Sequence, residues 1–168
     1  SAQRWRADDV IVESAVPEGQ AQLLWANMML HAVADPGALL AQWRKALSME
    51  GFVMFSTLGP DTLKALRQTY RDAGWGAAHA PFVDMHDLGD MLVRAGFADP
   101  VMDQEMLRLT WATPDALLTE LRGLGQNADP ARCPGLRTPR WRARLGAALA
   151  ERAGSDGRIA LEFEIVYG

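Results

Sequence analysis

The chain has little of what several functional classes require. A single cysteine, Cys133, stands among its 168 residues, so neither a disulfide framework nor a cysteine-based zinc site can be built. Its 17 lysines and arginines face 21 aspartates and glutamates, and the formal charge of -4 excludes nucleic-acid binding through bulk positive charge. No apolar run approaches the ~20 residues of a membrane-spanning helix. The opening SAQRWRADD lacks the apolar core of a secretory signal. His79 and His86 share no ligand spacing with one another or with Cys133, and no Ser/His/Asp or Cys/His array is visible. The expectation is a cytoplasmic protein with no metal, no membrane and no nucleic acid.

What is present reads as alternating strands and helices. Asp9 to Glu13, DVIVE, is a short strand candidate stopped by Pro17-Glu18-Gly19. Leu23 to Met28, in LLWANMMLH, is an unalternating apolar run of strand length, the pattern of a strand covered on both faces. Asp35-Pro36 offers an N-cap followed by proline at the first helical position. Leu39, Leu40, Trp43 and Leu47 follow at helical spacing, and Gly51 reads as the stop. Phe52 to Thr57 is a second apolar run. Strand, amphipathic helix and strand in this order predict a βαβ unit with parallel strands.

Further along, a helix is expected over Pro60–Arg71, with Leu63, Leu66 and Tyr70 inward, then a loose connector, GWGAAHA. Asp84 can cap a helix carrying Leu88, Met91, Leu92 and Ala95, stopped by Gly96. Val101 to Trp111 has strand character. Thr113-Pro114 and Thr138-Pro139 cap two more helices. Ile159 to Tyr167 alternates apolar residues with Glu162 and Glu164, predicting an antiparallel strand near the end of the sheet with one drier face. The class is α/β.

This order of pieces resembles a known family. The strand ending WANMMLH, the helix capped by DP, the turn RKALSMEGF, the strand VMFST and its continuation LGPDTL are similar to the second half of a class I S-adenosylmethionine-dependent methyltransferase. FVDMHDLGDMLVRAGFADPVM, LRGLGQN and the terminal EFEIVYG narrow the likeness to the branch of biotin synthesis that esterifies malonyl-acyl-carrier protein. A mitochondrial complex I assembly factor belongs to the same wider group.

The resemblance implies the C-terminal half of a Rossmann-like fold: a mostly parallel sheet, an antiparallel terminal strand and lid helices inserted at about 113–153. It divides the chain into an N-terminal segment, 1–22, and a methyltransferase part, 23–168. It implies S-adenosyl-L-methionine as the cofactor, met by Ala26, Asn27, Met28 and His31, because ligands in open parallel sheets sit beyond the carboxyl ends of strands. Ser56 and Thr57 would border the acceptor, with Tyr70 beside them. Arg137 and Arg140, in a cluster with Arg132, Arg142 and Arg144, would meet an acidic acyl-carrier protein.

Several departures stand beside the likeness. The family's glycine-rich turn after a first strand, and the acidic end of its second strand, are absent: Gly74/Gly76 and Gly123/Gly125 follow helices. Gln22 replaces the aspartate that opens the WANMM strand, and Met49-Glu50-Gly51 replaces proline-glycine-glycine. As given, the chain is therefore expected to be inactive. Its first long strand would be a bare apolar edge, to be covered by Val10 to Val12, by a second copy or, preferably, by upstream chain. The competing expectation is a non-catalytic binding or assembly module.

Overall fold

A computed structural model describes residues 17–124, 129, 131–132 and 137–168. The strand candidate around Val10 to Val12, Gly125 of LRGLGQN, and Cys133 lie outside the described residues.

The predicted βαβ unit is there. β1 (Ala21–Asn27) leads through a short 3-10 turn, Leu30–Ala32, to α1 (Pro36–Ala46) and then β2 (Leu47–Leu58). β1 and β2 run parallel, with Leu24 opposite Val53 and Asn27 opposite Ser56. Asp35 Oδ1 accepts the Ala38 N–H at 2.9 Å, the cap that its sequence position predicts.

Gly51 plays a different part from a helix stop. The helix already ends at Ala46, where the Leu47 N–H donates to Trp43 O. The pairing slips between Ala21↔Leu47 and Leu23↔Phe52, so β2 carries a bulge. A Cβ at Gly51 would sit 2.6 Å from Ala21 O, which is why the bulge takes a glycine.

α2 (Lys64–Asp72) starts later than Pro60, because Leu63 takes the left-handed region at φ 55° and closes the preceding turn. The Gly74–Ala80 connector is tied down rather than loose: Trp75 is buried, and the Ala77 N–H donates to Ala131 O at 3.2 Å. α3 (Met85–Arg94), β3 (Asp103–Trp111), α4 (Pro114–Gly123), α5 (Pro139–Ala150) and β4 (Ile159–Tyr167) complete the order. Thr113 and Thr138 cap α4 and α5 through the Ala116 and Trp141 N–H groups.

The sheet order is β1-β2-β4-β3. β4 is antiparallel to both β2 and β3, so β1, β2 and β3 share one direction and only the terminal strand opposes them. β4 lies one place inside the edge, which β3 occupies. Its lower half is buried on both faces, Glu164 included.

Helices cover both faces. Leu40, Trp43, Leu88 and Leu92 from α1 and α3 pack on Ala26, Phe55 and Val166. Leu66, Tyr70, Leu117, Leu145 and Leu149 from α2, α4 and α5 pack on Leu58, Leu161, Phe163 and Ile165. The second face remains open over β1 and early β2. There Leu23 pairs with Phe52 and Trp25 with Met54. All four side chains are exposed, Trp25 at 76%.

Candidate functional site

The site forms where β1 and β2 end. Ser56 Oγ donates to Asn27 Oδ1 at 2.5 Å, and the Met28 N–H reaches Ser56 O at 2.9 Å and Ser56 Oγ at 3.1 Å. These bonds hold Met28 at φ 53°, a left-handed conformation that long side chains rarely adopt. Asn27 is exposed, and with its carbonyl oxygen engaged its amide N–H2 is the group left for a ligand.

β2 continues into a turn pinned on β4. The Gly59 N–H donates to Glu164 O at 2.9 Å, and the Asp61 N–H donates to the buried Glu164 carboxylate at 2.7 Å. Thr62 Oγ1 donates to Glu164 O at 3.1 Å and accepts from the Glu164 N–H at 3.0 Å. A Cβ at Gly59 would fall 2.6 Å from the Glu164 carboxyl, so this position must stay small. The strand tip is thereby fixed over the cavity that follows.

That cavity, of 1530 Å³, lies on the α2/α4/α5 side. Met28, His31 and Leu58 line it at the strand tips, Tyr70 on α2, and Leu118 and Leu121 on α4. Arg137 and Trp141 close the α5 side, and Leu109 and Trp111 belong to β3. Because β1, β2 and β3 share a direction, Trp111 brings a third carboxyl end to the same chamber. The lining is mainly apolar, suited to excluding water around a few polar groups.

Four of the residues singled out from sequence therefore meet in one place: Met28, His31, Tyr70 and Arg137. Ala26 is buried on the opposite face against α1 and α3. Asn27 and Ser56 bond each other at the tip, and Thr57 is buried 3.4 Å from His31 Nδ1. Arg140 is exposed and away from the cavity wall. Leu107, Leu109 and Trp111 on β3 were not singled out from sequence. Their period-two spacing in MLRLTW marks one strand face and could have found them.

His31 shows what the chamber does to a titratable group. Its ring meets Phe82 edge-on at 5.9 Å, and burial holds its pKa below the ordinary 6.5. The unfolded chain then takes up the proton more readily. The stability that neutral His31 contributes is whole above pH 6.5 and is lost as pH falls through its lowered folded value. His79, also lowered by burial and stacked on Phe82 at 4.6 Å, acts in the same direction. The urea midpoint should thus drop between about pH 7.5 and pH 5.5 in the native protein, and drop less in His31→Gln. An identical drop in the variant would remove His31 from this account.

Among the described residues no group of three or more His, Cys, Asp or Glu could hold a metal, and no helix is long and apolar enough to cross a membrane.

A family model described as a methyltransferase domain matches residues 2–99, more than half of the chain. The chain belongs to the methyltransferase domain family. The class I resemblance read from its motifs is thereby borne out. The malonyl-[acyl-carrier protein] O-methyltransferase of Laribacter hongkongensis is 43% identical over 152 residues, covering 89% of this chain and 50% of that protein. The enzyme of the same name from Halorhodospira halophila is 41% identical over 155 residues, covering 90% and 52%. The chain thus spans about half the length of the curated relatives it matches. Among solved structures, a Bacillus halodurans protein assigned to the methyltransferases superposes with a TM-score of 0.55 at 11% identity, covering 90% of this chain and 69% of the other. The YcgJ protein of Bacillus subtilis gives 0.52 at 10% identity, covering 90% and 64%. These two likenesses speak for the Rossmann-like methyltransferase fold alone.

Proposed function

We propose that this methyltransferase domain supplies the acceptor side of an S-adenosylmethionine-dependent O-methyltransferase that esterifies malonyl-acyl-carrier protein, a step of biotin synthesis. The observation that carries this reading is the cavity at the strand tips, in a chain 43% identical to an enzyme of that name.

The tip residues fit the cofactor chemically. Asn27 offers an amide, Met28 a thioether and His31 a neutral imidazole, a set without the positive charge that would repel a sulfonium. When bound, S-adenosylmethionine supplies the electrophilic methyl group. The acceptor carboxylate is already an anion at neutral pH, so the residues here need remove no proton. Their part is alignment, which can lower a barrier by ~7–11 kcal/mol, and exclusion of water by the Leu109, Leu118, Leu121 and Trp141 walls.

α4 and α5 then serve as the lid, and the exposed Arg140 as part of the surface that meets the acidic carrier protein. The open face at Leu23, Trp25, Phe52 and Met54 is read as a seam covered by further polypeptide of the same fold. A second copy across it is the alternative, which sedimentation at micromolar concentrations would reveal.

The test is transfer of labelled methyl from S-adenosylmethionine to malonyl-acyl-carrier protein by the protein in the full length its gene encodes. Label in the malonyl ester is the expected result. Absence of transfer, with the carrier protein still bound, would favour a non-catalytic binding module.

A further inference from the structure

The five arginines of the α5 region do not form one patch. Arg142 pairs with Asp115 at 2.7 Å, and Arg144 lies over Trp75 at 5.6 Å. Arg137 differs from both. Its guanidinium carbon sits 4.7 Å over the Trp141 ring and 6.0 Å from the Tyr70 ring, and all three residues line the cavity. Among the described residues no carboxylate forms an ion pair with Arg137.

The aromatic rings are themselves fixed. Tyr70, Trp75 and Trp141 meet edge-on with centroids 5.6 to 6.2 Å apart. A guanidinium laid on such faces is held by cation–π attraction and shares one hydrogen bond with the Tyr70 hydroxyl, while its other N–H groups can donate to a ligand. Burial pushes the Tyr70 phenol above its ordinary pKa, against the opposing pull of the Arg137 charge, so it remains an O–H donor at neutral pH. Among the described residues, a cation with no ion-paired carboxylate and a protonated phenol therefore stand together in a mainly apolar cavity. Its lining also includes Asp129 and Glu120, the latter engaged by Trp111 Nε1.

We infer that Arg137 and Tyr70 form the binding site for the acceptor's free carboxylate, distinct from any surface that docks the carrier protein. This inference rests on the reading of the cavity as an acceptor chamber. One carboxylate oxygen accepts hydrogen bonds from the guanidinium and phenol. The other forms the new C–O bond to the methyl carbon while the S–C bond breaks and its electron pair returns to sulfur. No proton moves. The product ester is neutral and loses the ion pair, which favours its release.

The test is calorimetric titration of this chain with malonyl-N-acetylcysteamine thioester and with its methyl ester. The acid should bind the native chain about tenfold or more tightly than the ester. Arg137→Gln should remove that preference, Arg137→Lys should restore part of it, and Arg94→Gln, exposed on α3 and away from the cavity, should leave it intact. Equal binding of acid and ester to the native chain, no binding of either, or an unchanged preference in a folded Arg137→Gln variant would each overturn the inference. The two readings can fail separately. Arg137-dependent acid binding without methyl transfer by the full-length protein would sink the proposed activity and leave the carboxylate site standing. Methyl transfer left unchanged by Arg137→Gln at subsaturating acceptor would do the reverse.

Discussion

Leu149→Ala is expected to lower the unfolding free energy by about 2–5 kcal/mol, the range for a buried leucine cut to alanine with partial collapse around the gap. Leu149 is on α5, 0% exposed, and packs with Leu145, Leu117 and the β4 residues Ile159 and Leu161. Each kcal/mol should cost roughly 2–4 °C of Tm in a chain of this size. Leu124, exposed just beyond α4, serves as the control, and its alanine variant should stay within about 0.5 kcal/mol of the native protein. The comparison has a functional edge. The helices roofing the cavity are anchored in the main core, so the roof and the fold should melt together. A Leu149→Ala variant that loses less than about 1 kcal/mol would mean that α5 is a detachable flap, contrary to its burial.

The second large effect concerns two residues that the sequence reading assigns to different partners, Asn27 to the cofactor and Arg140 to the carrier protein. In the full-length protein, Asn27→Ala should lower kcat/KM about 10–100-fold with every acceptor, since a strand-tip hydrogen bond worth about 1–3 kcal/mol is removed. Its bond to Ser56 also holds the Met28 backbone, so loss of the amide disturbs the tip as well. Arg140→Glu should leave a small malonyl thioester as good an acceptor as before. It should slow only the carrier-bound form, by about tenfold, chiefly through association at low salt. Steady-state rates with both acceptors separate the outcomes. Equal losses for Arg140→Glu on the two acceptors would remove it from the docking surface.

The helix starts were legible because their signals are local. Asp35-Pro36, Thr113-Pro114 and Thr138-Pro139 each place a side-chain oxygen over a free N–H, and each caps a helix. The parallel pair was legible from two unalternating apolar runs joined by an amphipathic helix. Helix ends were harder. Gly51 looks like a stop in sequence, yet it is a bulge glycine whose requirement comes from Ala21, 30 residues away in the chain. The alternation of β4 suggested that Glu164 faces water. It is buried because the Gly59 turn from elsewhere in the chain lies on it and donates to its carboxylate. The candidate site divides in the same way. Met28 and His31 could be placed from their strand end, whereas separating Arg137 from Arg140 needed the aromatic rings of α2 and α5 in space.

The central proposal is that the acceptor enters the chamber beneath α4 and α5. Methyl resonances of this chain, followed by NMR while malonyl-N-acetylcysteamine thioester is added, test it most directly. Leu118, Leu121 and Met28 line the chamber, whereas Leu40 and Leu92 pack on the opposite sheet face. Saturable shifts confined to the first group are predicted. Shifts centred on Leu40 and Leu92, with the chamber methyls unmoved, would contradict it.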